Sequence, residues 1–151
     1  MPNPPVHEPA LAVLDTNVVL DLWLFGDMRA IPLRQALQAG RLQALVTTAM
    51  QAELADVLQR PFAQGWPAPA TPVLTALRAC SRDVEALAQQ APPPPRCTDP
   101  DDQKFIDLAW SWPVTWLLSR DRAVLKLARP ARLRGLQIVT PEAWAAANPR
   151  A

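Results

Sequence analysis

The chain has 151 residues, half of them hydrophobic, and a formal net charge of +1. This length suits one domain that buries about two-thirds of its unfolded surface. The near-neutral charge argues against a broad basic face for duplex nucleic acid, but it is compatible with a local basic rim. No apolar run approaches the roughly 20 residues of a membrane span, and the first nine residues lack the pattern of a signal peptide. We therefore expect a cytoplasmic protein with no membrane partner.

The residue types that the sequence lacks exclude several kinds of catalytic site. The only histidine is His7, in a proline-rich stretch, and there is no tyrosine. A histidine-based nucleophilic triad therefore lacks its base, and a zinc site of imidazoles and thiolates has too few ligands. The scattered glycines assemble neither a P-loop nor a GxGxxG turn. Cys80 and Cys97 are expected to be free thiols. Any catalysis is expected to depend on carboxylates and metal ions.

Hydrophobic patterning predicts strands that alternate with helices. The predicted strands are Leu11–Leu14, Leu42–Thr47, Val114–Leu118 and Leu136–Val139. The first predicted helices are one after a Thr16 or Asn17 cap, Asp27–Gly40 with Gly40 at its C-terminus, and Ala49–Gln59 after a Thr48 cap. Thr71–Gln90 is predicted to be one helix, or two broken near Ser81. The remaining predicted helices are one opening at Thr98–Lys104, Ala123–Ala128, and one from Thr140 through Ala147. An irregular loop is predicted for Pro61–Pro72 and a stiff connector for Pro92–Pro95.

This order of elements predicts an α/β fold. We expect a three-layer α/β/α sandwich with a central parallel sheet of four to five strands. The expected organisation is a tail over residues 1–10, a single domain over residues 11–147, and a short C-terminal tail over residues 148–151.

Four acidic residues stand out by their positions. Asp15 and Asp121 end two predicted buried strands, Asp102 begins a helix, and Glu53 lies in the first turns of another. In a parallel sheet, strand C-termini and helix N-termini share one rim, so all four are expected to converge in a cleft. Asp99 and Asp101 stand beside Asp102, which leaves the choice of ligand among the three open.

Clustered carboxylates indicate a site for a bound cation. Like charges raise one another's pKa, and a divalent ion relieves the repulsion. Hard oxygen ligands select Mg²⁺ or Mn²⁺, and a water on such an ion can attack a phosphodiester.

Basic and aromatic residues give a weaker indication. The four cations that cluster around two of the acidic motifs are candidate contacts to RNA phosphates; they are Lys104, Arg120, Arg122 and Lys126. An ordinary solvated charged face explains them equally well. Most tryptophans are expected in the core or in a dimer interface. Trp66, in the proline-rich loop, is the exception and a candidate for base stacking.

The acidic motifs resemble those of PIN-domain ribonucleases. The motifs are Asp15-Thr16-Asn17 after an apolar strand, Glu53 on the third helix, the stretch from Asp99 to Phe105, and Ser119-Arg120-Asp121. The resemblance runs from about Leu11 to Ala147 and is greatest to the bacterial VapC-like toxins of toxin–antitoxin pairs. Ser119 stands where many relatives have threonine, and Arg122-Ala123 replaces a stretch that often carries another acid.

The resemblance implies a role for each motif residue. Asp15, Glu53, Asp102 and Asp121 would form the metal site, and Thr16, Asn17 and Ser119 would orient ligands or phosphate. It also implies cleavage of single-stranded RNA with Mg²⁺ or Mn²⁺, homodimerisation, and inhibition by a small antitoxin protein.

Two other functions compete with a toxin ribonuclease. One is a haloacid-dehalogenase-type phosphatase with Asp15 as nucleophile, although Asn17 stands where that family's second motif acid belongs. The other is an inactive PIN scaffold that binds RNA or a partner protein.

Overall fold

A computed structural model describes residues 8–88 and 92–149; His7, most of the predicted N-terminal tail and residues 150–151 lie outside these ranges. Five strands of the described residues form one parallel sheet in the order β3-β2-β1-β4-β5. The strands are β1 (Ala10–Leu14), β2 (Leu42–Val46), β3 (Ser81–Asp83), β4 (Trp116–Leu118) and β5 (Gln137–Val139). The predicted α/β fold with a central parallel sheet of four to five strands is confirmed.

Helices cover this sheet. They are α1 (Thr16–Trp23), α2 (Ile31–Gln38), α3 (Thr48–Leu58), α4 (Pro61–Gln64), α5 (Val73–Ala79), α6 (Gln103–Ser111), α7 (Arg122–Leu125), α8 (Ala128–Arg132) and α9 (Pro141–Ala147). Two 3₁₀ turns, Met28–Ala30 and Pro100–Asp102, precede α2 and α6. Among the helices of residues 8–88 and 92–149, none combines the length and apolar character that crossing a membrane requires.

The middle strands form the centre of the core. Val13 of β1 lies beside Leu45 of β2 and Leu117 of β4, and all three side chains are fully buried. Apolar runs such as Ala10–Leu14 suit a strand that is covered on both faces. Helix α6 packs on β1 and β4, and α1 packs with α2, α3 and α5.

The connections reverse direction between β1 and β4. The chain moves outward from β1 to β2 and β3, then returns to add β4 and β5 on the other side of β1. The parallel hydrogen bonding continues past the strand ends, since Asp15 N–H donates to Leu118 O at 3.0 Å and Ser119 N–H donates to Val139 O at 3.1 Å. In open α/β sheets, ligands bind at the carboxyl ends of the strands where the order reverses. Asp15 and Ser119 both lie at that point.

The prediction of one helix over Thr71–Gln90, or two broken near Ser81, is wrong over residues 80–88. Helix α5 ends there, and Ser81–Asp83 forms the edge strand β3, while residues 89 and 90 lie outside the described ranges. Ala44 N–H donates to Cys80 O, and Val84 N–H donates to Val46 O. These partners belong to the edge of β2, so this polar stretch becomes a strand through pairing that its own pattern does not reveal.

Several predicted boundaries also move. Asp15 caps α1 in place of Thr16 or Asn17, and Thr47 caps α3 in place of Thr48. Gly40 follows α2 with a φ of 77°, and the N–H groups of Gly40 and Arg41 donate to Leu37 O and Ala36 O. This is a Schellman motif, which confirms the predicted glycine stop.

Smaller departures lie in the connecting segments. The segment Pro61–Pro72, predicted to be irregular, opens with α4, and the helix predicted for Asp27–Gly40 opens with a 3₁₀ turn. The strand predicted for Val114–Leu118 begins only at Trp116, and α8 was not predicted as a separate helix. Both cysteines are free thiols, as expected.

Candidate metal centre

Asp15 forms the buried floor of the site. Its side chain follows β1, is only 3% exposed and caps α1 by accepting the Asn17 N–H at 3.2 Å. Its other oxygen accepts a 2.7 Å hydrogen bond from Ser119 Oγ. Burial raises the pKa of Asp15, and the charges of Asp121 and Glu53 raise it further against these two hydrogen bonds. A buried carboxylate with a raised pKa in a cleft marks a candidate functional site.

Ser119 connects the ends of β1 and β4. It is completely buried, donates to Asp15 and accepts the N–H of Asp121 at 3.0 Å. Asp121 in turn caps α7 by accepting the Ala123 N–H at 2.8 Å. One hydroxyl thus fixes two acidic residues that are far apart in the chain.

The 3₁₀ turn before α6 brings further carboxylates to this rim. Asp99 caps the turn by accepting the Asp101 N–H at 3.0 Å. Oxygens of Asp99, Asp102 and Asp121 all lie within 4.8 Å of one another. We call these three residues the carboxylate cluster. Asp101 is exposed and is not part of it.

Asp102 has an unsatisfied oxygen. Its Oδ2 atom is inaccessible to solvent and has no hydrogen-bond partner among the described residues. Burial raises the pKa of Asp102 to about 7, and the charges of Asp15, Asp121 and Asp99 add to the increase. A buried carboxylate oxygen without a partner is costly, and a bound cation would satisfy it.

Glu53 lies at the other end of the site and is already paired. One of its oxygens accepts from Thr16 Oγ1 at 2.5 Å, and the other accepts from Lys104 Nζ at 2.7 Å. Its charge still contributes to the raised pKa of Asp15. Of the four acids predicted as metal ligands, Asp102 and Asp121 belong to the carboxylate cluster with Asp99. Asp15 and Glu53 lie outside this cluster, and their oxygens accept protein hydrogen bonds instead.

The predicted orienting residues differ in their contacts. The hydroxyls of Thr16 and Ser119 contact Glu53 and Asp15, respectively. Asn17 contacts Asp15 through its backbone N–H, and Asn17 itself is exposed to solvent.

The predicted RNA-contacting cations fall into two groups. Lys104 pairs with Glu53, and Arg120 pairs with Asp21 at 2.6 Å and Glu142 at 2.5 Å. Arg122 and Lys126 are exposed and form no ion pair with another described residue.

Asp99 is the site residue that the sequence left unresolved. Its signal is the Asp-Pro pair at the start of a helix, because a capping Asp followed by proline fixes the turn. The sequence does not show which of three nearby aspartates face inward, and this depends on the rotation of the 3₁₀ turn.

The donor set fits a divalent cation. Asp99, Asp102 and Asp121 each offer a carboxylate oxygen within 4.8 Å of the other two, and Asp102 has a buried oxygen without a partner among the described residues. Carboxylate oxygens are the ligands that Mg²⁺ and Mn²⁺ prefer.

Comparison with known proteins places this arrangement in a family. A family model of the PIN domain matches residues 11–123. The chain belongs to the PIN-domain family. A search of curated proteins found no matching relative. PIN domains are generally nucleases and typically use divalent metals, so the match joins a known nuclease fold to the acidic site described above.

Proposed function

We propose that this PIN domain is an endoribonuclease that hydrolyses phosphodiester bonds of single-stranded RNA with Mg²⁺ or Mn²⁺. The observation that carries the proposal is the carboxylate cluster with the unpartnered Oδ2 of Asp102, at the point where the strand order reverses. The PIN family match supports nuclease chemistry and RNA as the substrate class.

We assign roles to the residues of the site. Asp99, Asp102 and Asp121 would hold the ion, and Asp15 would fix Ser119 and the loop that carries Asp121. When bound, a divalent ion would neutralise negative charge on the phosphate and lower the pKa of a water bound to it, so that this water can lose a proton near neutral pH. Thr16 fixes the side chain of Glu53.

The exposed cations beside the site would bind the RNA backbone. Arg122 directly follows Asp121, and Lys126 lies just after α7. Both are exposed to solvent and form no ion pair within the described part of the chain. Contacts of this kind position the strand without selecting its sequence.

Cleavage of an unstructured, fluorescently labelled RNA tests the proposal. The wild-type protein should cleave it with Mn²⁺ or Mg²⁺ and stop when EDTA is added. Asp102→Asn and Asp121→Asn should each lower the rate by at least about 100-fold, because an amide oxygen replaces a charged ligand. Asp101→Asn is the matched control, since this neighbouring acid lies outside the carboxylate cluster, and it should retain most of the activity.

The result also separates the alternatives. A phosphatase would need Asp15 as an exposed nucleophile, but both of its oxygens accept hydrogen bonds and it is almost completely buried. Turnover of a small phosphate ester with a trapped phosphoenzyme would nevertheless overturn the nuclease proposal. RNA binding with neither metal binding nor cleavage would identify an inactive scaffold.

We further propose that the ribonuclease is a cytoplasmic, homodimeric toxin of a toxin–antitoxin pair. The support is the resemblance of its motifs to VapC-like toxins. Growth arrest on expression of wild type but not of Asp102→Asn, and a dimer mass by light scattering, would agree with it. Normal growth with active protein present would contradict the toxin role.

A further inference from the structure

We propose that Lys104 takes the place of a second cation, so that this PIN domain binds one divalent ion rather than two. The inference rests on the proposed metal-dependent function and concerns the number of ions at the same site. It assigns Lys104 as a positioning residue that neutralises Glu53.

Both carboxylate oxygens of Glu53 already have protein partners, one of them a cation. Its two oxygens accept hydrogen bonds from Lys104 Nζ at 2.7 Å and from Thr16 Oγ1 at 2.5 Å. The two charged side chains are 29% and 30% exposed, so the ion pair is largely shielded from water. A divalent ion bound to Glu53 would have to displace the ammonium from the space next to this oxygen.

Lys104 is held in this place by more than Glu53. Its Nζ also donates to the backbone oxygen of Asp101, and it lies 4.9 Å from the centre of the Phe105 ring. The ammonium therefore contacts both Glu53 and the 3₁₀ turn that carries Asp102, and its charge would repel a second divalent ion placed next to Glu53.

The unsatisfied ligand atom lies at the opposite end of the site. Both oxygens of Asp15 accept protein hydrogen bonds, as do both oxygens of Glu53. Asp102 Oδ2 instead is buried and has no partner among the described residues. One divalent ion at the carboxylate cluster and the Lys104 ammonium at Glu53 would together neutralise the acidic groups at both places.

Counting bound Mn²⁺ tests the inference without measuring activity. Isothermal titration calorimetry and electron paramagnetic resonance, with Mn²⁺ added to the metal-free protein, should give one bound ion per wild-type chain. Lys104→Met should give two ions per chain. Lys104→Arg should still give one, because it keeps the charge. Lys126→Met, at the only other lysine of the sequence, should also give one.

Each other outcome identifies what fails. Two ions per wild-type chain, or a single ion in Lys104→Met, would overturn the role of Lys104 and leave the metal-dependent nuclease intact. No bound ion in the wild-type protein would overturn the proposed function itself, and this inference with it. Lys104→Gln, which can still donate a hydrogen bond to Glu53, provides a second uncharged variant if circular dichroism shows that Lys104→Met is unfolded.

Discussion

The Ser119 hydroxyl makes the contact on which the geometry of the site depends. It donates to Asp15 Oδ2 and accepts from the backbone N–H of Asp121, so it joins the side chain that follows β1 to the loop that follows β4. It is completely buried, and no solvent can replace it. In its absence, Asp15 would keep only the Asn17 N–H as a partner.

Ser119→Ala should impair the site without unfolding the protein. A hydrogen bond to a charged group is worth about 1.5–3 kcal/mol, so we expect RNA cleavage to slow by about 10- to 100-fold. Ser119→Thr, which keeps the hydroxyl, should retain most of the activity. Rates under single-turnover conditions would measure the effect, and an alanine variant as fast as wild type would show that Ser119 does not position Asp15.

At the scale of elements, Arg120 connects three parts of the chain. It follows β4 and forms ion pairs with Asp21 of α1 and Glu142 of α9. The side chains of Arg120 and Asp21 are 21% and 13% exposed, so this pair is better shielded than a surface salt bridge. The network holds the Ser119–Asp121 loop against the helix that Asp15 caps.

Arg120→Met should lower the free energy of unfolding by about 1–3 kcal/mol, because it leaves the shielded carboxylate of Asp21 without its cation. Arg29→Met is the control, since Arg29 is 60% exposed while it pairs with Asp27 and Glu142. It should cause a much smaller loss. Urea unfolding of both variants would show the difference, and equal losses would mean that the Arg120 network adds no stability.

Over the whole molecule, acidic groups are concentrated at one edge of a nearly neutral protein. The net charge is +1, yet the site contains Asp15, Glu53 and the carboxylate cluster. Carboxyl groups whose pKa is raised by folding bind protons more tightly in the folded state. Such groups destabilise the folded protein as pH rises.

Without metal, the protein should therefore lose stability between about pH 4 and pH 7. The reason is that the pKa of Asp102 is about 7 when folded, against an ordinary value of 3.8. After allowance for its partial exposure to solvent, we expect Asp102 to contribute a loss of about 1 kcal/mol across this range. Asp102→Asn should flatten the decrease, and Mn²⁺ should reverse the decrease in wild type but have little effect on Asp102→Asn.

Urea unfolding at a series of pH values, in EDTA and in Mn²⁺, would measure this dependence. Asp101→Asn is again the matched variant and should follow the wild-type curve. A metal-free protein whose stability rises through this range, or an Asp102→Asn curve parallel to that of wild type, would show that folding does not raise the pKa of Asp102.

The main strands, the fold class and the acidic edge of the sheet follow from local patterns in the sequence. The apolar runs before Asp15 and before Ser119 predict buried strands, because continuous hydrophobicity is a local property of the chain. Parallel strands then place the residues that follow them on one rim. The convergence of Asp15, Asp102 and Asp121 was predictable on this ground, and so was the stop at Gly40.

Contacts between distant segments depend on how the whole chain packs. Ser81–Asp83 becomes a strand because β2 offers a free edge, and Asp99 rather than Asp101 joins the cluster because of how the 3₁₀ turn is rotated. The pairing of Glu53 with Lys104 likewise joins α3 to α6. Each depends on a partner far away in the chain or on the orientation of a turn in the packed structure, and a single segment of sequence encodes neither.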